Sequence, residues 1–214
     1  MALSVVDGNG NKQVLSNAGD NANVYSACSN GTITASNTSA TDVFQFVGAA
    51  NIVARIRRIE LFAASVVATG TITLAAAATL VRLIRRTAAG TTGTWTALAN
   101  GTGVTPHNLN SAAASCTVNV AGTTAFTIGA GTGQLRQGYL YYPAVNGTTD
   151  LVNPSWTQTS LVWEFGTRGS APLYVIGASD FLVINLNGVT PVGTIGLNIE
   201  WDEQAPVANS SPAQ

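Results

Sequence analysis

Charge is what this chain has least of. Asp, Glu, Lys and Arg make up 9% of its 214 residues, nine basic against ten acidic, where an ordinary soluble domain carries about 25%. A formal net charge of -1 leaves no long-range field to steer the protein to nucleic acid or to an acidic membrane, so neither is expected as a partner. So little self-repulsion suits a protein that ends up packed against others. Histidine occurs once, as His107 in Pro106-His107-Asn108, with no thiol or carboxylate near it in sequence. A loop histidine in that setting is solvated far more often than it is catalytic. The two cysteines, Cys28 and Cys116, fit no metal spacing and make no disulfide framework. Carboxylates cluster only in Glu200-Trp201-Asp202-Glu203, which reads as a solvated strand end or a partner for arginine. Glu164 and Glu200 on neighbouring strands would be the one pair for glycoside cleavage. With so few such groups the chain is not expected to be an enzyme, and neither a cofactor nor a metal is expected.

Helical periodicity is missing too, and no leader is expected: Met1-Ala-Leu-Ser-Val-Val6 runs at once into Asp7-Gly-Asn-Gly-Asn-Lys12, without a basic start or a long apolar core. From Leu61 to Val81 there is no charge, a length that would cross a bilayer. Five Thr and Gly residues interrupt that run and arginines flank both ends, so it reads as strand, turn and strand.

What is present is arginine in two places. Six of the nine basic residues lie in Ala54–Phe62 and Thr79–Arg86, and these two stretches read as a β-hairpin with basic ends. Arg55, Arg57, Arg58, Arg82, Arg85 and Arg86 either cap strands and pair with Glu60, Glu164, Asp180 or Glu200, or form a docking patch whose guanidinium forks take carboxylates of a partner. Within the first stretch the pattern is disturbed at Arg57-Arg58: the face Val53, Arg55, Arg57, Ile59, Leu61 changes from charged to apolar midway, as happens when a strand leaves a core or carries a bulge.

Other short strands follow the same logic. Val43–Val47 alternates Val43, Gln45 and Val47 against Phe44 and Phe46. Cys116–Val120, Ala125–Ile128, Gly138–Tyr142, Ser160–Phe165, Pro172–Ile176, Phe181–Leu186 and Thr194–Trp201 each have strand length and are bounded by Gly, Pro, Asn or Asp. The last is the cleanest, with Ile195, Leu197, Ile199 and Trp201 inward and Gly196, Asn198, Glu200 and Asp202 outward. Gly129–Gly133 reads as a loop, without the Lys or following helix of a phosphate site. This pattern predicts an all-β fold: a two-sheet β-sandwich, jelly-roll-like, over residues 43–203. Residues 1–42 are too polar to make a core of their own and read as an extended N-terminal arm anchored along a neighbour by Leu3, Val5, Val6, Val14 and Leu15, with Val24, Tyr25 and Ile33; residues 204–214 read as a flexible tail.

Arg55–Leu61, Val81–Thr94, Thr105–Asn108, Leu161–Phe165, Leu182–Gly188 and Leu197–Glu203, with the opening Val5–Asn11, resemble a group of small structural proteins of tailed-bacteriophage virions. The resemblance implies a capsid decoration (cement) protein or head fibre, made in the host cytoplasm and located on the capsid surface, with the major capsid protein and copies of itself, as a homotrimer, for partners. A rival expectation is a head- or tail-fibre module binding a host surface glycan through Trp95, Tyr139, Tyr141, Tyr142 and Trp156, which otherwise serve as core or interface aromatics.

Overall fold

The computed structural model describes residues 3–6, 12–15, 23–29, 42–64, 73–74, 77–88, 90, 94–121, 129–142, 145–146, 159–167, 170–187 and 194–204. Every regular element among them is a β-strand: β1 Leu3–Val6, β2 Lys12–Leu15, β3 Asn23–Ser29, β4 Asp42–Val47, β5 Val53–Ala64, β6 Thr73–Leu74, β7 Ala77–Arg86, β8 Trp95–Ala97, β9 Val104–Pro106, β10 Thr117–Ala121, β11 Gly131–Tyr142, β12 Val145–Asn146, β13 Thr159–Glu164, β14 Leu173–Ile176, β15 Phe181–Asn185 and β16 Thr194–Gln204. The described parts of the charge-free run Leu61–Val81 are accordingly strand, with no helix long and apolar enough to cross a membrane.

Two antiparallel sheets pack face to face. One runs β11-β7-β15-β4-β10-β8; the other runs β13-β5-β16-β3-β9, with β14 continuing alongside β5. Their inner faces carry the apolar set that alternation selects: Phe44, Phe46, Val81, Leu83, Val118, Leu140, Leu182 and Ile184 on the first, and Tyr25, Ala27, Ile56, Ile59, Leu61, Ile195, Leu197, Ile199 and Trp201 on the second. Trp201 stands at the join, its ring 5.6 Å from Tyr25 in a stacked arrangement and 5.2 Å from Phe46 edge-on across the sheets. A void of about 10 Å³ between Phe44, Ile59, Leu83 and Ile199 is at the lower limit for one water molecule, so packing here is close to complete.

The strand that changes face does so by a bulge. Glu200 of β16 lies opposite Arg58 and Trp201 opposite Ile56, which leaves Arg57 as the extra residue. Before it Ala54 and Ile56 point inward; after it Ile59, Leu61 and Ala63 do. One inserted residue thus moves β5 from even to odd without breaking its ladder.

Three expectations are corrected. The two arginine-rich stretches are not a hairpin: β5 and β7 lie in opposite sheets. Pairing them side by side would set rows of guanidinium against each other, whereas separation places each beside acidic or amide side chains. Second, the boundary at residue 43 fails for Asn23–Ser29. As β3, this stretch lies inside the second sheet between β16 and β9, with Tyr25 and Ala27 buried, because its inward side chains complete the floor beneath Trp201. Third, Gly131–Gly133 is not loop but the start of β11, where register shifts at Gly131/Gly133 and Gln134/Arg136 absorb extra residues.

Within the expected arm, the anchors Leu3, Val5 and Val6 of β1 and Val14 and Leu15 of β2 pair their strands with each other, Leu3 opposite Leu15 and Ser4 opposite Val14, as a two-stranded sheet folded back on itself. The expected anchor Ile33, the expected strand Ala125–Ile128 and the tail from 205 lie outside the described residues.

Candidate docking surface

Arg55, Arg57 and Arg58 occupy the outer face of the second sheet. Asp202 stands directly opposite Arg55, and its carboxylate accepts from Arg55 Nε at 2.9 Å and Nη2 at 2.7 Å and from Arg57 Nε at 2.7 Å. The bulge aims Arg57 there. Two half-exposed guanidiniums cover the acid so fully that Asp202 is 0% exposed although it lies on the outward face. Arg58 pairs with Glu60 at 3.1 Å. Glu164 and Glu200 sit on opposite sides of β5, each directly across from Arg58, so they are two strand spacings apart, roughly 10 Å, with an arginine between them. Three arginines (55, 57, 58) therefore share this face with four acids (60, 164, 200, 202). Its charge is balanced within the chain rather than presented as a basic patch.

The second arginine group divides. Arg86 is buried and holds Asp42 through two bonds of 2.6 and 2.8 Å while donating to the Gly129 carbonyl at 2.9 Å. Asn185 donates to the same Asp42 carboxylate at 2.8 Å. Arg82 donates to the side chains of Asn185 and Asn187. Arg85 reaches across the rim to the Tyr174 carbonyl of the other sheet and to Asp180 at 3.5 Å. Of the partners expected from sequence, Glu60, Asp180 and, from the acidic run at the end of β16, Asp202 take arginine; Asp42, which carries the most buried pair, was not among them. Asp42 opens β4, but nothing local reports that an arginine will arrive to cover it.

Glu203 is a further buried acid, neither solvated nor paired with arginine as the acidic run was expected to be. It follows Trp201 on the inward side and accepts from the Ser115 amide, the Cys116 amide and Trp201 Nε1, each at 2.9 Å. Tyr25 donates its hydroxyl to the Ala112 carbonyl at 3.0 Å. Burial, then the Glu203 charge and its hydrogen bond, push the Cys116 thiol well above its ordinary value. Burial, then Glu203 and Cys116, raise the Tyr25 phenol likewise. With the His107 amide donating to the Val24 carbonyl at 2.8 Å, these contacts pin both ends of the loop from 107 to 115. His107 is exposed on it, and Leu109 is 94% exposed at its tip in a turn closed by Asn108.

Among the described residues no three of His, Cys, Asp and Glu form a cluster able to hold a metal. The aromatics divide as well. Tyr139 and Tyr141, 55% and 56% exposed, lie two residues apart on β11 with ring centres 6.4 Å apart, whereas Trp95 is half-buried on β8. Trp156 and the side chain of Tyr142 lie outside the described residues. Comparison of the chain with protein-family models, with curated proteins and with solved structures gives no match.

Proposed function

We propose that the chain is a virion structural protein: a decoration protein that binds the outside of a bacteriophage head, against the major capsid protein, and stabilises it. The observation that carries this reading is a helix-free sandwich whose arginines are largely engaged within the chain, leaving a surface of neutral Thr, Asn, Gln and Tyr suited to many modest contacts. The sequence resemblance supports it and adds self-assembly, as a homotrimer. The strand order supports a jelly roll, since β3-β16-β5-β13 faces β4-β15-β7-β11 and the eight strands taken in chain order cross between sheets as two Greek keys do. Each bound copy stabilises a shell only as far as binding exceeds the cost of ordering it. Incubating the purified chain with undecorated heads should give saturable co-sedimentation and a higher head-disruption temperature. Heads that neither retain the chain nor gain heat resistance overturn the proposal.

The exposed Tyr139–Tyr141 pair favours a second reading, a fibre module whose rings stack on a host glycan. Host-cell binding that disappears in Tyr139→Ala and Tyr141→Ala while head binding persists would select it.

A further inference from the structure

We infer that the second half of β11 is a self-pairing edge, at which two copies of this chain join their first sheets antiparallel; this goes beyond the proposed function and departs from the homotrimer that the resemblance adds to it. Among the described strands β11 ends the sheet order, with β7 on one side and none on the other. It is 12 residues long, and a long sheet edge presents a row of backbone donors and acceptors that only another strand satisfies in register.

The usual protections of such an edge are confined to its first half. Both register shifts fall between Gly131 and Arg136, and Arg136, the strand's one charged residue, is drawn over the Phe165 ring at 5.6 Å. From Gln137 to Tyr142 the pairing to β7 is unbroken. The ribbon goes on past the end of β15, which covers β7 only from Arg82 to Arg86, and resumes as β6–β12 with Val145 opposite Leu74. No charged residue occurs from Gln137 to Thr149.

The occupant that fits this edge is its own copy. Its outward side chains Gln137, Tyr139 and Tyr141 are neutral, so an antiparallel copy centred on Leu140 sets Tyr139 of one chain opposite Tyr141 of the other, twice, with no like-charge contact. An acidic or basic partner strand would find no counter-charge there. A twofold contact consumes both edges and closes, and the bulged first half limits its length, so a discrete dimer results rather than a fibre. That even number differs from the three copies the resemblance implies, which makes mass a sharp readout.

Light scattering and sedimentation of the full chain over a wide dilution series should give twice the 21.9 kDa chain mass, with those amides of 137–142 that point away from β7 slow to exchange in the dimer and fast on dilution. Tyr139→Lys/Tyr141→Lys should fall to monomer with an unchanged circular dichroism spectrum, while Leu109→Lys stays dimeric. A monomeric wild type, a trimer indifferent to the two lysines, or a dimer whose edge-facing 137–142 amides exchange fast each overturns the edge contact. So does a monomer whose 137–142 amides slow only on adding chitohexaose, which hands the tyrosines to glycan binding. Head binding is scored separately: a wild type that decorates heads without dimerising sinks this contact and leaves the shell reading standing.

Discussion

Glu203 shows how a single side chain can hold a loop that has no core of its own. Its two oxygens satisfy three N–H groups, and charge-assisted bonds of this kind stabilise more than neutral ones. Glu203→Gln keeps the volume but replaces one accepting oxygen with a donor facing an N–H, and should cost about 2 kcal/mol of unfolding free energy in a denaturant titration. The same neighbourhood sets an alkaline limit. Cys116 and Tyr25 are neutral when protonated, and both are raised from ordinary values of 9.0 and 10.0. The native state therefore keeps protons that the unfolded chain releases. Stability from these groups is complete below those ordinary values and falls as pH climbs above them, by up to about 1.4 kcal/mol per pH unit for each group. Melting temperature should hold near neutrality and decline above pH 9.0, and Cys116→Ala should flatten the first part of the decline. In a thiol assay at neutral pH, exposed Cys28 should react at once and Cys116 only on unfolding.

At the scale of elements, glycine positions reveal close approaches that composition hides. Gly196 on the outer face of β16 lies under the Phe62 ring, where an added Cβ would sit 1.9 Å from Cζ. Gly196→Ala should lower stability by about 1–3 kcal/mol, and Phe62→Ala should restore most of that loss; additive losses in the double mutant would mean that the ring is not the obstacle. At Gly48 the obstacle is the Gly177 carbonyl oxygen at 2.2 Å, backbone that no second side-chain change removes. What was legible at this scale was local. The β16 alternation and the face change at Arg57-Arg58 depend on near neighbours, and both stand as read. Pairing partners were not legible. β5 and β7 are close in sequence, yet β5 finds Asp202, 147 residues from Arg55, and β7 finds Asp42, 44 residues from Arg86. Such choices depend on which charges meet in space, which no window along the chain contains. β3 was missed because Asn23 and Ser29 dilute the face that carries Tyr25 and Ala27, a weak apolar signal that becomes core only beside Trp201.

At the scale of the whole molecule, β3 decides where the folding unit begins. A reading that puts the sandwich at 43 predicts that removal of residues 2–40 leaves it intact. The structure predicts the reverse, because that cut takes away an interior strand paired to β16 over seven residues, Leu197 to Glu203, and to β9. It would uncover Trp201, whose stacking partner Tyr25 is 1% exposed in the native chain. Loss of a buried aromatic side chain costs about 3–5 kcal/mol on its own, a large share of the roughly 5–15 kcal/mol that holds an ordinary domain together. A chain beginning at Asn23 should therefore unfold cooperatively, with Trp201 fluorescence near that of the full chain. A chain beginning at Thr41 should aggregate or lose its cooperative transition. If both truncations melt like the full-length protein, β3 is dispensable and the boundary returns to 43; if only the shorter one fails, the sandwich starts at β3 and any arm is confined to the residues before it.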